Sequence, residues 1–178
     1  MFQERKNSKS AELNFPPRVV TPDDSGIATA TRGQVIESGA AGPCTLIGMV
    51  DRRAGAAVLG HFVRPNDVNE DDFDRMLAQA RKLFKSPNSV EVFLAGCSPE
   101  GDFDFGECGA GYGAGDSRRS REATIERIVR AGYSRSAITT NWQDEVFLTQ
   151  EMVVDLTDLS VSVETTNMDD NTSRVAKY

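Results

Sequence analysis

Histidine occurs once in the 178 residues, cysteine three times and tryptophan once, and aromatic residues reach only 7%. The odd cysteine set, Cys44, Cys97 and Cys108, does not describe a disulfide framework, and a chain of this length does not need one to hold a core. Reduced thiols are expected. The single histidine, His61, confines any Cys–His chemistry to one imidazole. No apolar run approaches the roughly 18 residues of a spanning helix, and the charged N-terminus has no apolar segment behind it, so no secretory signal is read. Cations are short as well: 20 Lys and Arg face 27 Asp and Glu, for a net charge of −7. Such a chain lacks the basic stripe that meets nucleic-acid phosphates and is a poor match for an anionic membrane surface. A cytoplasmic protein is expected, with export as an effector by a route that leaves no sequence trace as the alternative.

What is present fits one domain. Residues 1–25 are polar and rich in Pro and Ser and read as an N-terminal extension, and 165–178 show no periodicity and read as a polar tail. The domain is expected over 26–164. No internal repeat is visible. Strand-like runs lie at 27–37, 44–51, 56–64 and 90–95, with shorter ones at 137–140, 145–148, 152–156 and 159–163. The clearest helix covers 70–85, where Phe73, Met76, Leu77, Ala80 and Phe84 recur at spacings of three and four; Pro87 stops it. A second helix covers about 119–131, with Ile125, Ile128 and Val129 as its apolar face and Gly132 at its end. Between them, 96–116 is a glycine-rich loop. Strands mixed with two helices predict an α+β layered sandwich, with helices packed on a largely antiparallel sheet.

Cys44 and His61 occupy two strands joined by Arg52-Arg53-Ala54-Gly55, which reads as a hairpin turn. A two-residue loop at Arg52-Arg53 sets the pair directly opposite; a four-residue loop makes them diagonal neighbours. Either even length puts both side chains on one sheet face, with Cβ atoms roughly 4.5–8 Å apart. An odd loop or a bulge would split them. A free thiol, with a pKa of about 8.5, is mostly protonated at neutral pH. An adjacent imidazole can take that proton, leaving a thiolate able to attack a carbonyl carbon.

The stretch SGAAGPCTLIGMVDRRAGAAVLGHFVRP, Ser38 to Pro65, resembles the core of the bacterial chemotaxis deamidase family CheD. In that family a Thr lies six residues before the Cys and a His seventeen after it. Here Ser38, Cys44 and His61 hold those places, Pro65 follows the His, and Ser38 replaces the Thr. Deamidating toxins of the cytotoxic necrotizing factor type share the Cys–His arrangement. Element order is similar from about 35 to 164, but only the Ser38–Pro65 stretch is specific. The resemblance implies hydrolysis of a protein glutamine side chain to glutamate and ammonia through a thioester. It makes Cys44 the nucleophile, His61 its base and Ser38 the residue that orients His61. It implies a protein substrate, chemoreceptor-like or another target, and a regulatory protein partner. Three features depart from the pattern: Pro43, without an N–H, replaces the usual Ser; Gly96-Cys97 replaces paired glycines; and Asn141-Trp142-Gln143-Asp144 replaces a glycine-rich segment.

Simpler readings stand beside this one. Cys44 alone reads as a small buried hydrophobe and His61 alone as a structural histidine. Cys44, His61, Cys97 and Cys108 suffice by count for zinc but lack the short Cys-x-x-Cys spacing, so no metal and no cofactor are expected. The glycines at 106–115 lack a Gly-Lys-Ser/Thr ending and read as a surface loop, not a phosphate cradle. Arg118, Arg119, Arg121, Arg127, Arg130 and Arg135 read as a solvated face, or secondarily as a dock for an acidic partner. An inactive binding module on the same fold, or a protease- or transglutaminase-like Cys–His enzyme, remain as alternative functions.

Overall fold

The computed structural model of the chain describes residues 18–23, 26–42, 44–62, 70–97, 114–145 and 148–178. Pro43, Pro65, Cys108 and the glycines from Gly106 to Gly113 lie outside the described residues. The protein is α+β, with two mixed five-stranded sheets and two helices among the described residues. A central sheet runs in the order β2 (Ile27–Thr31), β5 (Ala56–Phe62), β4 (Thr45–Asp51), β6 (Glu91–Gly96), β7 (Ile138–Trp142). An outer sheet runs β1 (Arg18–Val20), β3 (Gln34–Glu37), β8 (Leu148–Asp155), β9 (Ser160–Asn167), β10 (Ser173–Lys177). All neighbours are antiparallel except β1–β3 and β6–β7.

Burial explains why the strands read as they do. Leu46, Val50, Leu59, Phe93 and Ala95 of the central sheet meet Ile36, Met152, Val154, Val161 and Val163 of the outer sheet in one buried cluster. The opposite face of the central sheet packs Ile47, Met49, Val58 and Leu94 on α1 (Glu70–Leu83) and on Ile128 of α2 (Ala114–Arg130). Central strands are thus covered on both faces, and all seven residues of β4 are buried. The outer sheet has one covered face, and β8 alternates buried and half-buried positions along its length, as a sheet wet on one side should. Each large apolar side chain in these clusters contributes about 1.5–3 kcal/mol by burial.

Several elements differ from the sequence expectation. The single strand expected at 27–37 is two, because the chain turns at Arg32-Gly33, with Gly33 at φ +86°, and passes from the central to the outer sheet. The segment 165–178 is not a loose tail: β9 continues to Asn167, and β10 pairs with it as an edge strand. Most of β10's residues are exposed, so no apolar alternation marked it. Arg18–Val20, within the expected N-terminal extension, likewise adds an edge strand beside β3. Helix α2 starts earlier than expected and buries Ser120, Thr124 and Ile128, while Val129 is 37% exposed. Its buried stripe is partly polar, with the Thr124 hydroxyl donating to the Ser120 carbonyl at 2.7 Å, which is why apolar spacing misjudged the face. Among the described residues, no helix is long and apolar enough to cross a membrane.

Candidate active site

The turn after β4 sets the relation of Cys44 to His61. It spans the four residues Arg52 to Gly55, and the register pairs Leu46 with His61 and Thr45 with Phe62. Asp51 pins this turn: one carboxylate oxygen accepts the N–H groups of Arg53 and Ala54, both at 3.0 Å, and the other accepts the Ser89 hydroxyl at 2.7 Å. Burial pushes the Asp51 carboxyl up, but these hydrogen bonds outweigh it and hold the group below the usual carboxylate range. Cys44 lies one step before Thr45, so strand alternation puts its side chain on the face of Leu46, which is also the face of His61. Diagonal neighbours of this kind have Cβ atoms about 7–8 Å apart, within reach of leaning side chains. Both residues are half-buried, and Cys44 packs on the cluster between the sheets.

Ser38 meets His61, but through the main chain. His61 Nδ1 lies 2.8 Å from the Ser38 carbonyl oxygen. A carbonyl only accepts, so Nδ1 carries the proton, and in the neutral ring Nε2 is left with its lone pair. The Ser38 hydroxyl is engaged elsewhere, donating to the Gly39 carbonyl at 2.7 Å and accepting the Met152 N–H at 2.8 Å. The Ser38 N–H donates to the Met152 carbonyl at 3.0 Å. The serine thus completes the β3–β8 ladder with its side chain and presents its carbonyl to the imidazole.

Two glycines seat the pair. Gly26, at φ +72°, accepts the His61 N–H at 2.7 Å, and a Cβ there would collide with the His61 carbonyl. Gly96, at φ +75°, would drive a Cβ into the Cys44 carbonyl. That carbonyl accepts the Cys97 N–H at 2.7 Å, extending the β4–β6 ladder one step past its end. Cys97 itself has φ +51°, a conformation that costs a non-glycine residue of order 1–3 kcal/mol. Its surroundings fix it there: Arg121 of α2 donates to the Cys97 carbonyl from Nη2 at 2.8 Å and from Nε at 3.2 Å, and also to the Gln143 carbonyl. Gln150, fully buried on β8, accepts the Gly96 N–H at 2.5 Å and donates to the Thr165 hydroxyl at 3.0 Å. Its main chain pairs both ways with Ala41, at 2.7 and 2.8 Å.

All of these groups gather at one end of the sandwich. A groove of about 450 Å³ lies elsewhere: lined in part by Arg52, Arg53, Ser86, Ser89 and Glu91, it sits at the other end of β4, roughly 23 Å away along seven residues of strand. Its Arg52 and Glu91 pair with each other at 2.8 Å, and neither cysteine nor histidine is among its lining residues. Among the described residues, no group of three or more His, Cys, Asp or Glu is placed to hold a metal ion. No disulfide joins Cys44 to Cys97.

No family model and no characterised protein sequence matches this chain. Sequence reasoning did not single out Gly26, Arg121, Gln143 or Gln150 for the site. Only the left-handed glycines had a usable signal, a glycine directly before or after a strand. Arg121 was grouped with a solvated helix face, yet its side chain is only 17% exposed.

Proposed function

We propose that the chain is a cysteine-dependent protein-glutamine deamidase of the CheD type. The observation that carries this reading is the shared-face, diagonal register of Cys44 and His61, with the imidazole tied at Nδ1 and its Nε2 available as a base. In the proposed reaction Nε2 takes the Cys44 proton, and the thiolate attacks the carboxamide carbon of a glutamine side chain. The imidazolium returns the proton to the leaving nitrogen, ammonia departs, and a thioester remains. Water, deprotonated by the same nitrogen, cleaves the thioester to glutamate and regenerates the thiol. Pro43 offers no N–H to an oxyanion, so the Cys44 main-chain N–H is the candidate first donor. Substrate and regulatory partner are proteins in this reading, and the cytoplasm is their compartment.

Incubation with the cytoplasmic fragment of a bacterial chemoreceptor, or with a bacterial lysate, tests the proposal by peptide mass spectrometry. The expected result is a glutamine converted to glutamate by the wild type and not by Cys44→Ser or His61→Asn. Activity that survives Cys44→Ser would overturn it. A cut chain or a new crosslink would instead assign a protease or a transglutaminase-like enzyme.

A further inference from the structure

Among the buried polar side chains, Gln143 is out of balance. It is 1% exposed, and its Oε1 has no hydrogen-bond partner among the described residues. An orphaned buried carbonyl is costly and calls for a reason. The register shows where it lies. Gly96 pairs with Trp142 on one side and with Thr45 on the other, so the next row of the sheet runs Cys44, Cys97, Gln143. The Gln143 N–H donates to the Gly96 carbonyl at 3.1 Å. Its side chain reaches the Ala41 carbonyl, with Nε2 at 3.4 Å. It therefore leans past the bare Cα of Gly96 towards the turn that delivers Cys44. The facing carbonyl accepts only, so the nitrogen end must point at Ala41 and the oxygen is the orphan whichever way the amide is named.

We propose that Gln143 Oε1 is the acceptor that recognises the NH₂ of a carboxamide held at Cys44. This deepens the deamidase reading and rests on it. A carboxamide has two N–H donors to offer this oxygen, and a carboxylate has none. The site would thus prefer glutamine to the glutamate it produces, and would release product for the same reason. A site whose buried polar group is left unpaired by the wrong ligand discriminates more strongly than an apolar pocket does.

Two alkylating probes of nearly equal size test this without a known substrate: iodoacetamide, a carboxamide, and iodoacetate, a carboxylate. The readout is the ratio of their rates at Cys44, by peptide mass spectrometry, in the wild type and Gln143→Met, against a small free thiol. Relative to that thiol, the wild type is expected to favour iodoacetamide by roughly tenfold, the worth of one hydrogen bond. Gln143→Met should lose the preference. Gln143→Met is also expected to melt no lower than wild type, because it removes an unpaired buried oxygen and only one long hydrogen bond. A merely structural glutamine would give the opposite: a lower melting point and an unchanged ratio. A ratio unaltered in Gln143→Met, with Cys44 still reactive, overturns the inference and leaves the deamidase reading standing. A Cys44 inert to both probes in the wild type overturns the deamidase reading itself, and this inference with it.

Discussion

Replacing Ser38 by alanine separates two ways of holding the imidazole. If the hydroxyl orients His61, Ser38→Ala should cripple the site in a protein of ordinary stability. The geometry argues for the reverse. The group facing Nδ1 is the Ser38 carbonyl, which alanine keeps. What alanine removes is the acceptor of the Met152 N–H, in a place where Ser38 is 4% exposed and Met152 fully buried. Leaving that N–H unpaired costs about 1–3 kcal/mol. In a protein of this size each kcal/mol lowers Tm by roughly 2–4 °C, so a fall of about 4–8 °C is the central expectation. Ser38→Thr keeps the hydroxyl and should recover most of it.

The lone histidine makes the other half of the test clean. Its two ring nitrogens are the only imidazole signals in a nitrogen-15 NMR spectrum of the chain. The expected spectrum shows the Nδ1–H tautomer, unchanged in Ser38→Ala, and well below its midpoint the variant should alkylate at Cys44 at the wild-type rate. Ser38→Ala with an undiminished Tm, a switched tautomer and a much slower Cys44 would refute the main-chain account and restore the hydroxyl to the role that the CheD resemblance gives it.

Gly96→Ala should destabilise by at least about 2 kcal/mol, from the left-handed φ plus a clash with main chain that cannot rotate away; denaturant titration reads the loss, and slower alkylation of Cys44 should accompany it. Gly26→Ala should do the same at His61, visible as a shift of its imidazole resonances. For Asp51, the folded-state pKa lies below the unfolded one, so its stabilisation is complete above the unfolded value of about 3.9 and disappears as the pH falls through the lower, folded value. Asp51→Asn should therefore cost stability at neutral pH and flatten the acid limb of the curve below about pH 4, which melts across a pH series would reveal. Arg121→Lys, which keeps the charge but loses the fork that bridges two carbonyls, should lower Tm and relax the Cys97–Gln143 edge; an unchanged melt would show the bridge to be slack.

The facing of Cys44 and His61 was legible because strand alternation has a period of two residues and the turn has countable length. An even loop puts both on one side; that the loop is even and unbulged, and the pair diagonal rather than opposite, awaited the structure. The helix α1 was legible for the same kind of reason: Phe73, Met76, Leu77 and Ala80 are buried as their spacing required. The edge strand β10 was not. A strand with four of its five residues exposed has little reason to alternate, and SRVAK does not.

The supports of the site were hidden for a different reason. Ser38 acts through its carbonyl, Cys97 through its N–H and Gly26 through its carbonyl, and main-chain groups carry no residue identity for a sequence to display. Arg121 was visible as a charge, but its direction depends on which face of α2 is buried, and that face includes Ser120 and Thr124 as well as Ile128. What brings these groups together is the path of the chain. Residues 38–42 follow β8 of the outer sheet, through Ser38 with Met152 and Ala41 with Gln150, before the chain enters the central sheet as β4. Cys44 stands at that crossing, so its carbonyl is held by the end of β6, while Ala41 shortly before it is held by β8. A residue fixed from both sheets cannot drift without breaking ladder hydrogen bonds. Loosening either sheet at this end, at Gly96 or at Gln150, should therefore slow Cys44 more than an equal loss of stability introduced at the Arg52–Gly55 turn.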